Sequence, residues 1–327
     1  MKCLLITVVL CVCTLAGPAC AEQVHTAANS TQRPARARKA VRLARHPIVA
    51  LTFDDLPAAG DLPEGESRAH IAATLAGELR AHHLKGVYGF VNAVDVADDT
   101  DEQEALRRWV QAGMNIGNHT WSHPSLTDVT TEAFEQEIAR DEPVLARYAE
   151  GRDWRWFRYP YLCEGDTLEK RRQVRAWLAK HRYRIAQVTL IFNDDDWADA
   201  YSRCVAKRDD ASILWLRQSY LENAAQFIRV GREEQRIAFG REIPNVLLLH
   251  ETIFTTIMLP DLLQLLHRQG FRFRTLAKVA RDPAYALDPD AASKAGGSLP
   301  NQFLNSRHLQ YPPFTPEPVE TLHNICR

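Results

Sequence analysis

The stretch Pro47–Pro57 reads PIVALTFDDLP. Its first seven residues are almost wholly apolar and rich in β-branched and aromatic types, which marks a buried strand. The run stops at two adjacent carboxylates, Asp54 and Asp55, and Pro57 follows. Like charges that close repel, and one of the pair is costly to ionise unless a cation lies beside it. Two readings compete: an ordinary acidic turn or helix cap, or a cation site at a strand end.

The pattern repeats downstream. Short β-rich runs occur at 47–53, 86–91, 114–119, 156–161, 183–191, 245–250 and 271–275. Helical patterns lie between them. SRAHIAATLAGELRAHH opens on a capping serine; TDEQEALRRWVQAG has Thr100 as cap, Gln103 three residues later and Gly113 as a stop. Further helices are read in TTEAFEQEIARDEPVLARYA, DTLEKRRQVRAWLAKH, a long segment within 209–236, and LPDLLQLLHRQG. Strand–helix alternation with crossovers of this length predicts a parallel sheet in the α/β class, and seven such strands predict a barrel rather than an open sheet.

The chain has 327 residues, 46% of them hydrophobic, with a formal net charge of -1. That suffices for a sizeable core and gives no global field directed at nucleic acid or anionic membrane. Residues 1–21, MKCLLITVVLCVCTLAGPACA, have a lysine, an apolar run and small residues at the end, the pattern of a secretory signal peptide, so the protein is expected to be exported, periplasmic or secreted. Ala19-Cys20-Ala21 fits the cleavage rule. Lipidation at Cys20 is the lesser alternative, since the usual leucine three residues earlier is missing. No later stretch is apolar enough to span a bilayer.

After signal removal three of the seven cysteines remain: Cys163, Cys204 and Cys326. A Cys163–Cys204 bridge and three unpaired thiols both stay open, because spacing does not fix connectivity. Residues 22–46 are basic and aperiodic and read as a flexible linker. Residues 47–283 read as one catalytic domain, and 284–327 as a Pro/Gly/Asn-rich C-terminal tail that lies on it or is partly disordered.

Reactive residues cluster at the C-terminal ends of the predicted strands, the face that carries chemistry in parallel α/β barrels. Asp54 and Asp55 end the first, and His119 the third, with His123 four residues on in HTWSHP. Arg158 and Tyr161 end the fourth, in RYPY. Asp194, Asp195 and Asp196 follow the fifth, before Trp197, and His250 ends the sixth. Each has an ordinary explanation: a cap, an incidental histidine pair, an extended strand exit, a solvated acidic loop, a core histidine. Together they supply a metal-ligand set and an acid/base pair.

In order, T-F-D-D, H-x3-H, R-x-P-Y, D-W and L-x-L-H resemble the five motifs of the NodB-type polysaccharide deacetylases, carbohydrate esterase family 4. The resemblance covers roughly 47–283 and implies a distorted (β/α)7 barrel. It makes Asp55, His119 and His123 the ligands of a divalent metal, by default Zn2+, though Co2+ or Ni2+ suits the same donors. It makes Asp54 the general base, Arg158 the residue that orients it, and Tyr161 the donor of a backbone N–H to the oxyanion. His250 becomes the general acid and Asp196 the carboxylate that holds its imidazole. Adjacent acids are then tolerable: one ligates and the other takes a proton from the attacking water.

Two departures stand out. Leu56-Pro57 replaces the usual Gly-Pro, and Leu162-Cys163 replaces the usual glycine after Tyr161. Both touch substrate recognition, since no catalytic position is lost. A thiol nucleophile at Cys163 is not expected, because no histidine motif adjoins it. Trp121, Trp156 and Trp197 suit either sugar stacking or core packing. The implied activity is removal of N-acetyl groups from an amino-sugar polymer or oligosaccharide, with a glycan and not nucleic acid as partner. Two rivals are another C–N hydrolase on the same scaffold and a non-catalytic carbohydrate-binding envelope protein.

Overall fold

The structure is a computed structural model that describes residues 46–327 apart from Ala58. The signal peptide and nearly all of the basic linker lie outside the described residues. Among the described residues, no helix is long and apolar enough to cross a membrane.

The elements alternate as the sequence predicts: β1 (Ile48–Leu56), α1 (Arg68–Ala81), β2 (Tyr88–Val91), α2 (Ala93–Asp98), α3 (Thr100–Gln111), β3 (Asn115–Asn118), α4 (Thr131–Tyr148), β4 (Trp156–Phe157), α5 (Leu168–Lys180), β5 (Arg184–Ile185), α6 (Asp196–Lys207), α7 (Asp210–Phe239), β6 (Asn245–His250), α8 (Ile253–Arg268), β7 (Arg272–Phe273), α9 (Leu276–Val279), α10 (Leu299–Ser306) and α11 (Val319–Asn324).

Every strand pairing is parallel, in the order β5-β4-β3-β2-β1-β6, and β7 pairs with the start of β1. The sheet curls. Beyond β5 the chain reaches β6, where the Leu190 N–H donates to the Val246 carbonyl at 3.1 Å and Leu190 in turn accepts from Leu248 at 3.1 Å. This is the distorted barrel expected from seven strands and helical crossovers. The central strands β1, β2 and β6 are buried along nearly their whole length because helices cover the outside. Phe53, Trp109, Trp197, Leu247 and Phe254 are all fully buried in the largest core cluster.

Local chemistry explains the boundaries. Ser67 caps α1 by accepting from the His70 N–H at 3.1 Å. In α3 the cap is Asp99, not Thr100, and one of its oxygens accepts from both the Asp101 and Glu102 N–H groups. A carboxylate that satisfies two orphan donors outcompetes a hydroxyl that satisfies one. Gly113, at φ 91, ends that helix in a conformation other residues resist. Helix α8 begins at Ile253, six residues before the predicted start at Leu259. Thr252 caps it, and Pro260 is accommodated inside it rather than opening it.

The C-terminal segment packs on the domain. Leu299, Phe303 and Leu304 of α10 are buried with Ala238 of α7, and Leu322 of α11 joins the main core. A disulfide joins Cys204 of α6 to Cys326. The Cys163–Cys204 pairing is therefore incorrect, and so is the reading of three free thiols. Among the described residues Cys163 is the free cysteine, and it is buried.

Candidate active site

Strand register builds the site. Asn118 pairs with Val91 on one side and Phe157 on the other, and Phe157 pairs with Ile185. The next residue on two of these strands is His119 or Arg158, so both emerge at one rim. On the other side of β2, β1 pairs with β6 from Val49–Asn245 to Asp54–His250. The register alone sets Asp54 beside His250.

Adjacent residues of a regular strand point to opposite faces. Asp54 and Asp55 escape this rule because the β1–β2 register shifts between Phe53 and Leu56, and Asp55 adopts φ 61. Such an irregularity re-aims side chains at a strand end. Asp54 meets Arg158, and Asp55 meets the histidines.

The Nε2 atoms of His119 and His123 each lie 3.3 Å from Asp55 Oδ1, which has no hydrogen-bond partner despite being buried. A buried carboxylate oxygen with no hydrogen-bond donor, facing two ring nitrogens, is a donor set that fits a divalent cation. The three ligand atoms lie within 4.8 Å of one another. His119 Nδ1 is 2.8 Å from the Arg158 carbonyl; donating there fixes the tautomer and leaves Nε2 free for a metal. His123 is at φ 58 and Thr120 at φ 71. The loop is clamped by Asn92, whose amide donates to the His119 and Thr120 carbonyls at 2.8 and 3.1 Å, and by Asn118, which accepts from the Thr120 N–H at 2.9 Å. The sequence reading missed both asparagines; their only signal was a polar residue at the end of a strand. Burial would raise the Asp55 carboxyl, but the close imidazole of His119 and the charges of His250 and His123 hold it well below the usual carboxylate range.

Arg158 is buried under the pair. Its Nη1 donates to both Asp54 oxygens at 3.1 Å, Nη2 to Thr52 Oγ1 at 3.1 Å and Nε to the Ala186 carbonyl at 2.7 Å. Phe90 lies 4.6 Å below the guanidinium. Breaking a buried pair of this kind costs about 3–5 kcal/mol.

His250 is held by Asp194, not Asp196. Asp194 Oδ1 is 2.9 Å from His250 Nδ1, while Oδ2 accepts from the His250 N–H at 3.0 Å and from Thr255 Oγ1 at 2.5 Å. Asp195 Oδ1 stands 3.2 Å from the same ring nitrogen. Asp196 is exposed because α6 starts there, and its side chain lines the adjoining cleft. Burial favours neutral His250, but the charges of Asp194 and Asp195 outweigh it and push the imidazole pKa well up. Directly after it, Glu251 is buried with neither oxygen hydrogen-bonded, and burial raises its carboxyl to about 8. This acid was not singled out from the sequence, although a glutamate closing an apolar strand was visible there.

Tyr161 is 62% exposed, with its ring 4.5 Å from that of His123. Cys163 is buried and its thiol pKa is raised by that burial, which makes it inert as a nucleophile. Trp156 and Trp197 are core residues, and Trp121 stacks under Arg140 at 4.0 Å. A cleft of about 480 Å³ opens beside Asp55, lined by Gly60, Asp199 and Arg203 and by Leu322 and His323 of α11.

Residues 43–181 match the family model for polysaccharide deacetylase. A chitin deacetylase of Arthroderma benhamiae is 28% identical over 122 residues, 37% of this chain and 30% of that protein. A peptidoglycan-N-acetylglucosamine deacetylase of Bacillus cereus is 28% identical over 150 residues, 46% of each chain. The chain thus spans less than half the length of these curated relatives. Among solved structures, the chitin deacetylase of Colletotrichum lindemuthianum superposes with TM-score 0.50 at 19% identity, covering 78% of this chain and 94% of that one. A CE4 family pseudoenzyme from Bacillus anthracis superposes with TM-score 0.50 at 16% identity, covering 72% and 66%. At these identities the structural likeness speaks for the fold. Over residues 43–181 the chain is thus similar to the polysaccharide deacetylases, and its curved parallel sheet is the fold of the carbohydrate esterase family 4 structures.

Proposed function

We propose that this protein is an exported, metal-dependent hydrolase that removes N-acetyl groups from an amino-sugar polysaccharide or oligosaccharide, releasing acetate. The observation that carries the reading is the strand register that sets Asp54 beside His250 at one rim of the sheet. Asp54 is an ion-paired carboxylate, and His250 is an imidazole kept protonated by Asp194. A carboxylate aimed by an arginine and an imidazole held at Nδ1 by a second carboxylate suit base and acid roles.

Asp55, His119 and His123 would hold the cation, with zinc the first candidate from the donor set. When bound, a divalent cation supplies Lewis acidity toward the acetyl carbonyl and lowers the pKa of water. Asp54 takes the proton from the attacking water. Arg158 aims Asp54 through two hydrogen bonds. His250 donates a proton to the departing amine, and Asp194 holds Nδ1 so that Nε2 faces the leaving group. The Tyr161 N–H stabilises the oxyanion. The Asp-His-His triad and the acid/base pair are all retained, which disfavours the non-catalytic reading. The apolar N-terminal run disfavours a cytoplasmic amide hydrolase.

The test is acetate release from N-acetylglucosamine oligomers by the chain from residue 22 onward, with metal content measured on the same sample. Bound divalent metal and stoichiometric acetate are expected. Metal without acetate would direct the search to other acylated substrates. Folded protein that takes up no metal would overturn the reading.

A further inference from the structure

Tyr161 and Leu162 are consecutive left-handed residues, at φ 55 and φ 54. Leucine resists this conformation, because its Cβ crowds the backbone. The motif this stretch resembles has glycine after the tyrosine, where such a turn is free of strain. Something in this chain must over-determine the turn.

The C-terminal segment does so. Gly296 lies against the turn so closely that a Cβ built on it would come 1.7 Å from the Tyr161 carbonyl oxygen and 3.1 Å from the Leu162 carbonyl carbon. Contacts on both sides hold the two strips together. The Ser293 N–H donates to the Gly165 carbonyl at 3.0 Å, the Cys163 thiol faces the Lys294 carbonyl at 3.8 Å, and Gln302 Nε2 donates to Glu164 Oε1 at 2.9 Å. Gln302 also donates to the Gly297 carbonyl at 3.3 Å, and α10 anchors the whole strip through Leu299, Phe303 and Leu304.

We propose that Gly296 is a positioning residue. Its bare backbone lets the C-terminal segment lean on the Tyr161–Leu162 peptide and hold it left-handed, where a glycine would otherwise be needed. The segment thereby aims the Tyr161 N–H and seats the Tyr161 ring against His123. The catalytic half of this inference rests on the deacetylase reading; the structural half does not.

The experiment uses the full chain and two readouts. In Gly296→Ala, the amides of Leu162 and Cys163, which donate to the Tyr159 and Pro160 carbonyls at 3.0 Å each, are expected to exchange with solvent at least about tenfold faster. On N-acetylglucosamine oligomers, kcat is expected to fall about 10- to 100-fold with KM within about twofold, as for a displaced transition-state donor. Adding Leu162→Gly to Gly296→Ala is expected to restore most of kcat, because a glycine lets the 161–162 peptide turn away from the new methyl. A merely structural role would give no such rescue. Should Gly296→Ala fail to fold, Gln302→Ala, which loosens the strip without a clash, should show the same changes at smaller size.

Unchanged exchange and unchanged kcat in a folded Gly296→Ala protein would overturn the proposal. A loss that tracks the unfolded fraction and is not rescued by Leu162→Gly would overturn it too. If the unmutated chain released no acetate, the deacetylase reading would fall, and the exchange rates alone would decide whether the segment holds the turn.

Discussion

Asp54, Asp55, His119, His123, Arg158 and Tyr161 come from the first half of the domain, within the family match at 43–181, whereas Asp194 and His250 come from beyond it. The first group is placed by strand ends and loop turns a few residues long: a register shift in β1, left-handed Asp55, Thr120 and His123, and Arg158 one residue past β4. The second is placed by tertiary contact. Asp194 reaches His250 across 56 residues of sequence and is itself pinned by Thr255. Local geometry leaves a signature in the sequence. A carboxylate chosen by what packs against it does not.

That contrast can be broken most sharply at the acid end. Asp194→Asn is expected to lower kcat by about 10²–10⁴, as for other carboxylates that hold a catalytic imidazole. Asp196→Asn, at an exposed helix start, should leave kcat within about threefold. The sign of the pH effect follows from what Asp194 does. It raises the His250 pKa, so its loss lets the imidazole deprotonate at lower pH, and the alkaline limb of the kcat/KM profile moves down the pH scale. Equal losses from the two substitutions would reverse the assignment.

A smaller effect separates chemistry from stability within the same strand. The folded state holds Glu251 protonated up to about 8, against an ordinary 4.5. Between those values the unfolded chain has lost the proton and the folded chain keeps it. The Glu251 contribution to stability is therefore full below about 4.5, declines as pH rises toward 8, and levels off above. Glu251→Gln should abolish that decline and raise stability at pH 8 by about 2–4 kcal/mol. Urea unfolding at pH 5 and pH 8.5 checks it, and identical pH slopes in both proteins would contradict it.

Most of the fold was legible because apolar strands and capped helices alternate so regularly. The errors were physical in kind. The helix read from Leu259 begins earlier, at Thr252's cap, and takes Pro260 within it. Three consecutive acids at 194–196 are indistinguishable by type, and only the point where α6 begins decides which one faces His250. Cys204 pairs with Cys326 across 122 residues, a choice that belongs to the packing of α6 and α11. The C-terminal segment lacks a sustained period, so its burial on α7 and its hold on Tyr161 and Leu162 left no pattern to read.

The central claim is that Asp54 and the Asp55-His119-His123 cluster divide the labour of two adjacent acids, one holding a proton and the other a cation. Asp54→Asn tests it most directly, with metal content and acetate release measured side by side. The account predicts metal bound as in the unmutated protein and acetate release reduced by about 10²-fold or more. Undiminished acetate release, or loss of metal together with activity, would contradict that division.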